Sequence, residues 1–139
     1  MRAVVDRLWE ALGSQGASWV GFYVHPDPQA GELVLAVCRD RPACSPIGLH
    51  GACGRALLER CILIVRDVAN LGENYIACDP RDRSEIVVPC IDQTDACWGV
   101  LDLDSHESGA FDVADAEGLH RVLVAAGLTR EPMPPVTIV

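Results

Sequence analysis

Residues 74–89, NYIACDPRDRSEIVVP, place one cysteine, Cys78, in a polar loop directly ahead of a strongly apolar run. A structural cysteine is usually a small buried hydrophobe. Cys78 is instead followed by Asp79, Pro80, Arg81, Asp82, Arg83, Ser84 and Glu85, which no core accepts unpaired. A thiol on a loop held by a rigid strand is a reactive site in the making. Its acidity is pulled two ways, since Asp79 disfavours the thiolate while Arg81 or Arg83 favours it. A second constellation lies in WGVLDLDS, where Asp102 and Asp104 alternate and therefore project from one strand face, with Leu101 and Leu103 on the other. Two carboxylates on one face repel unless a cation lies between them. With Glu85 they make an acidic pocket suited to a ligand ammonium, or able to keep a proton on a carboxyl at neutral pH. The competing reading is a solvent-facing strand edge. Metal chemistry has less support: there is no CxxC or HxxxH spacing, His25, His50, His106 and His120 are scattered, and no metal is expected. A hydrolase triad joining Cys78 to His50 or His106 has no local signature.

The bulk properties narrow the partner. The chain has 139 residues, half of them apolar, enough for one domain with a sizeable core. The net charge of -9, with acids crowded between Asp67 and Glu117, argues against nucleic acid, whose phosphates need neutralising. A small cationic or zwitterionic partner fits better. No segment approaches the roughly 18 apolar residues of a membrane span. The opening MRAVVDRLWEAL carries Asp6, Arg7 and Glu10 where a secretory signal would be apolar, so a cytoplasmic location is expected. Seven cysteines, an odd number, then read as thiols, some of them reactive, rather than as a disulfide scaffold.

The elements that must hold these groups follow from periodicity. Val4, Val5, Leu8, Trp9 and Leu12 share one helical face, ended by Gly13 and Gly16. Residues 18–24, SWVGFYV, and 32–39 read as a hairpin, with Trp19, Gly21 and Tyr23 on one face of the first strand and Val20, Phe22 and Val24 on the other. Residues 40–51 read as a loop, and 53–60 as a short helix with Cys53 at its start, where backbone amides can stabilise a thiolate or hold a carboxylate. A strand over 62–65, a long connection over 66–83 and a second hairpin from strands 84–91 and 97–105 come next. Asp112 caps a last helix whose stripe is Val113, Ala116, Leu119, Leu123 and Ala126, and the Pro-rich residues 131–139 read as a tail beyond a domain of residues 1–130. Five or six mostly antiparallel strands with helices from both chain ends make an α+β fold, a central sheet flanked by helices.

Taken together, WVGFY at 19–23, the cysteine pair in ACSPIGLHGACG, YIACD at 75–79, SEIVVP at 84–89 and GVLDLDS at 99–105 resemble the free methionine-(R)-sulfoxide reductases, small enzymes built on a single GAF domain. The match runs in order from about Trp19 to Asp115. The resemblance implies reduction of the free amino acid sulfoxide rather than the protein-bound form. It implies Cys78 as the catalytic thiol, Cys44 as the first choice of resolving thiol and Cys53 as a third active-site cysteine. It implies Glu85, Asp102 and Asp104 as the acids that grip the substrate amine and protonate the sulfoxide oxygen, with Trp19 and Tyr23 as the apolar wall for the S-methyl group. The reaction would pass through a sulfenic acid on Cys78 and an intramolecular disulfide. No bound cofactor is implied, only an external thioredoxin-like dithiol, and a homodimer is compatible with the family. The chain departs from the family in a segment between Cys44 and Cys53 that is one residue shorter, in Tyr75 where His is common, in Ala52 where Val is common, and in a shorter helical region before Val4. Cys38, Cys61, Cys90 and Cys97 match no family role and read as buried. The rival readings are a non-catalytic GAF module that binds a small ligand and a thiol-based redox switch; both would lack turnover of methionine sulfoxide.

Overall fold

The computed structural model describes residues 1–39, 43–76 and 78–139. Helix α1, Arg2–Leu12, turns Val4 and Val5 inward together with Leu8, one helical turn further on. A 3-10 turn, Gly13–Gln15, follows, and Gly16 at φ 111° redirects the chain into a strand, a conformation for which glycine carries no steric penalty. Strands β1, Ala17–Val24, and β2, Glu32–Arg39, form the first hairpin. After β3, Ile47–Gly48, comes α2, Ala52–Glu59, closed by Arg60 in the left-handed region. Strand β4, Ile62–Val65, and a 3-10 segment, Val68–Asn74, lead to the second hairpin, β5, Ser84–Ile91, and β6, Cys97–Ser105. Helix α3, Val113–Ala125, starts with a reciprocal capping box between Asp112 and Asp115, and β7 is Val136–Ile138.

The seven strands form one sheet in the order β3-β2-β1-β6-β5-β4-β7, antiparallel throughout except for β4 with β7. Both faces are covered, which is why β4 and β5 are buried at every position. On one face α1 and α3 bring Val5, Leu8, Leu119 and Leu123 against Val20, Phe22, Ile86, Leu101 and Leu103. On the other, α2 brings Ala52, Cys53, Ala56 and Leu57 over Trp19, Tyr23, Leu63, Val87 and Val100. Each fully buried aliphatic or aromatic side chain contributes about 1.5–3 kcal/mol. Gly54 lets α2 approach closely, because a Cβ there would strike the backbone of Leu49. Among the described residues no helix is long and apolar enough to cross a membrane.

Most expected elements form where periodicity puts them, and the exceptions share a cause. The expected loop over 40–51 holds the two-residue strand β3 (residues 40–42 of that expectation lie outside the described residues), and the long connection over 66–83 holds the 3-10 segment. The residues read as a Pro-rich tail include β7, which lies parallel to β4. Its register pairs Ile62 with Val136 and Ile64 with Ile138, and Val139 N–H donates to the Ile64 carbonyl at 2.9 Å. Prolines at 132, 134 and 135 hid a strand whose stability comes from a preformed edge rather than from its own pattern. Seven strands therefore replace the five or six expected.

Candidate active site

The pocket opens on the face of the sheet that α2 covers. It is lined by Trp19, Tyr23, Cys53, Cys78, Glu85, Asp102 and Asp104, with Asp82, Tyr75 and Ile76 at its rim. Strand register explains the assembly. Trp19 stands opposite Asp104, and Asp104 opposite Glu85, so one row across β1, β6 and β5 carries an indole and two carboxyls. The next row carries Gly21, Asp102 and Val87. Directly opposed side chains on one face are about 4.5–5.5 Å apart, and like charges there repel. Glu85 and Asp102 are each 7% exposed, so the reading of Asp102 as a solvent-facing edge is overturned: β6 is interior to the sheet. Burial, then the charge of Asp104, pushes the Glu85 carboxyl well above the usual range. Burial and Glu85 do the same to Asp102, and burial and Asp102 to Asp104. The floor of the pocket is thus an acid store that holds protons at pH values where surface carboxyls have lost them.

Gly21 leaves room for the indole of Trp19, since a Cβ there would collide with the ring. Trp19 stacks on Tyr23 with ring centroids 5.8 Å apart, forming an aromatic wall. Two polar atoms in this pocket, Trp19 Nε1 and Asp102 Oδ1, are buried with no hydrogen-bond partner among the described residues. Buried polar groups are normally paired, so this unsatisfied donor and carboxyl oxygen leave hydrogen-bonding capacity open inside the pocket.

Cys44 and Cys78 are joined as a disulfide across 34 positions of sequence, with Cα atoms 5.5 Å apart. The Cys44 loop is tied down by other bonds. Tyr23 Oη donates to the Cys44 carbonyl at 2.9 Å, and Leu35 N–H donates to Ser45 Oγ at 3.0 Å. Burial and Asp102 raise the Tyr23 phenol far above its ordinary pKa, which keeps it a donor. Cys53 is buried on the first turn of α2, and its thiol donates to Asp102 Oδ2 at 3.3 Å. Of the two roles open to the amides at this helix start, stabilising a thiolate is disfavoured, because burial and the charge of Asp102 push the Cys53 thiol pKa well up. Of the other cysteines Cys61 and Cys90 are buried, and Cys38 and Cys97 partly so.

The charges beside Cys78 largely cancel. Arg81 grips Asp79 side-on through Nε and Nη2, at 2.6 to 3.1 Å, and holds its carboxyl well below the ordinary range; Arg83 reaches Asp67 at 3.4 Å. His106 lies 3.5 Å from Asp79 and 3.6 Å from Asp82, and Ser18 Oγ donates to Asp82 at 3.1 Å. In this cluster the Arg81 guanidinium balances the carboxylate of Asp79, and His106 lies against both Asp79 and Asp82.

The GAF domain family model matches residues 1–129. A free methionine-R-sulfoxide reductase of Saccharomyces cerevisiae is 36% identical over 118 residues, covering 83% of this chain and 65% of the yeast protein. Among solved structures, the free methionine-R-sulfoxide reductase of Neisseria meningitidis in complex with its substrate superposes with a TM-score of 0.77 at 39% identity, covering 86% of this chain and 69% of that one. The fRMsr of Staphylococcus aureus in complex with substrate superposes at 0.76 and 34% identity, covering 90% and 80%.

The chain belongs to the free methionine-R-sulfoxide reductase family of GAF domains.

It spans about two thirds, 65%, of the length of its yeast relative. Membership bears out the family and fold expected from the motifs. Every residue singled out in the sequence as a reductase site, from Cys44 and Cys78 to the three acids and the two aromatics, lines this GAF pocket or touches a residue that does. The sequence marks neither Asp82 nor Ser18 as part of a reductase site, and offers His106 only as one of two partners in a hydrolase triad. Asp82 sat in a run of charges that looked solvated, and only the fold turns it inward to 7% exposure.

Proposed function

We propose that the chain reduces free L-methionine-(R)-sulfoxide to methionine, with Cys78 as nucleophile and Cys44 as resolving thiol. The observation that carries the reading is the Cys44–Cys78 disulfide at the rim of a pocket floored by Glu85, Asp102 and Asp104. Cys78 attacks the sulfoxide sulfur while a neutral carboxyl of the floor protonates the oxygen, the role that raised carboxyl pKa values suit. The oxygen passes to Cys78, methionine leaves with its sulfur reduced, and a sulfenic acid remains. The Cys44 thiol displaces that oxygen as water and forms the disulfide. An external dithiol of the thioredoxin type then reduces it by exchange, so the cycle needs no bound cofactor.

The remaining side chains favour a free amino acid. Asp102, with Oδ1 unpaired, receives the substrate ammonium, and Trp19 Nε1 donates to an oxygen. The stacked Trp19 and Tyr23 rings pack against the S-methyl group. Cys53, hydrogen-bonded to Asp102, sets that carboxyl rather than serving as the attacking sulfur. The dithiol cycle suits a reducing compartment such as the cytoplasm. The relatives solved with substrate support the same substrate class.

The test is a count of thiols after mixing reduced protein with the separate R and S isomers of free methionine sulfoxide, without added reductant. Loss of two thiols per methionine released, for the R isomer alone, is the expected result. Peroxide-dependent disulfide formation with no methionine release would identify a redox switch, and no reaction with either isomer would leave a binding module.

A further inference from the structure

Asp82 and His106 belong neither to the thiol pair nor to the three-carboxyl floor, yet Asp82 shares the lining of the pocket with that floor and His106, beside it, reaches solvent. Asp82 lines the pocket with Glu85 and Asp104 and is 7% exposed, and its Oδ1 lies 3.6 Å from His106 Nε2. The His106 side chain is 41% exposed. The other groups facing Asp82 cannot carry a proton outward. Ser18 on β1 donates its hydroxyl to it, a group that carries no ionisable charge near neutral pH. In its own loop Arg81 stays charged, and Asp79 is held ionised by Arg81. Burial raises the Tyr75 phenol above its ordinary range, and Glu85, Asp102 and Asp104 are the acids to be served. An imidazole is the side chain that ordinarily exchanges protons near neutral pH.

We propose that His106 and Asp82 form a proton relay that recharges buried Glu85 and half-buried Asp104 from solvent. The proposal rests on the reductase reading above. The proton balance requires such a step. Cys78 reacts as a thiolate, its proton having left to solvent. Its electron pair bonds to the sulfoxide sulfur while the oxygen takes one proton from a floor carboxyl; that hydroxyl then passes to the Cys78 sulfur as the sulfoxide sulfur–oxygen bond and the temporary sulfur–sulfur bond break, and methionine keeps one electron pair. That carboxylate is left among like charges, and with methionine still in the pocket its direct path to water is filled. Asp82 passes it a proton, takes one from the His106 imidazolium, and His106 takes one from water. One proton leaves per cycle and one returns.

The test compares wild type, His106→Gln and Asp82→Asn with the R isomer, first in a single turnover and then in steady state with saturating dithiothreitol, across about pH 6 to pH 9. The expected result for His106→Gln is a first turnover within about twofold of wild type and a steady-state kcat about tenfold lower at unchanged KM, with an altered pH profile and recovery on adding imidazole. Asp82→Asn should show the same split without recovery. Steady-state rates and pH profiles matching wild type in both variants would overturn the relay, as would a loss already present in the first turnover and indifferent to imidazole, which indicates a structural role. A wild-type chain that turns over neither isomer would remove the reductase reading, and the relay with it; an active wild type with unaffected variants removes the relay alone.

Discussion

Reducing the Cys44–Cys78 bond should lower the melting midpoint of this protein by about 10 °C, a shift that follows from chain entropy. The bond joins residues 34 apart. In the loop-closure treatment a ring of that size removes about 12.6 cal/mol/K from the unfolded chain, or about 3.8 kcal/mol at 25 °C. Unfolding entropy at about 2.1 cal/mol/K per residue comes to roughly 0.29 kcal/mol/K for this chain, so the ceiling on the shift is about 13 °C. Residual structure in the unfolded chain lowers the figure. The folded loop does not depend on the bond alone, because Tyr23 and Ser45 anchor it by hydrogen bonds that survive reduction. Scanning calorimetry of oxidised and dithiol-reduced protein measures the difference. Cys44→Ser should melt near the reduced wild type and be indifferent to reductant. Oxidised and reduced wild type melting within about 2 °C, or a Cys44→Ser protein that still responds to reductant, would refute the reasoning, the second by pointing to another thiol pair.

Three further outcomes follow from the same geometry. Because Glu85, Asp102 and Asp104 have raised pKa values in the fold, the folded state binds protons more tightly than the unfolded chain. Their contribution is complete below the ordinary carboxylate range and is lost as pH rises from there toward the raised values, so urea midpoints of the reduced protein should fall as pH rises above about 4, and Glu85→Gln should flatten that fall. Gly21→Ala should push the Trp19 indole off Tyr23, costing about 1–3 kcal/mol and raising KM for the sulfoxide, with a change in tryptophan fluorescence; an unchanged KM counts against the aromatic wall. Deleting residues 136–139 should leave β4 as an edge and speed exchange of the Arg66 amide, now bonded to the Val139 carbonyl, by about tenfold, and unchanged exchange would mean that β7 adds nothing to β4.

How much of this was legible in the chain depends on the range of the interaction. Alternation in WGVLDLDS put Asp102 and Asp104 on one face because strand side chains alternate by local geometry, and the same rule put Trp19, Gly21 and Tyr23 together. The two hairpins and the capped last helix were likewise local. The motif pattern named the family and made Cys44 the first choice of partner for Cys78. What the pattern did not contain is depth. Asp102 reads the same at an edge or in a core, and its elevated pKa arises only because β1 and β5 flank β6 and α2 covers the face. Cys53 sat where helix amides favour a thiolate, yet its environment is decided by a carboxyl 49 positions away. The contact of Asp82 with His106, and the pairing of β7 with β4, likewise join segments that carry no signal of each other. Periodicity determines which way a side chain points, whereas solvation and like-charge repulsion depend on everything packed around it, and those are the quantities that decide which sulfur and which carboxyl can react.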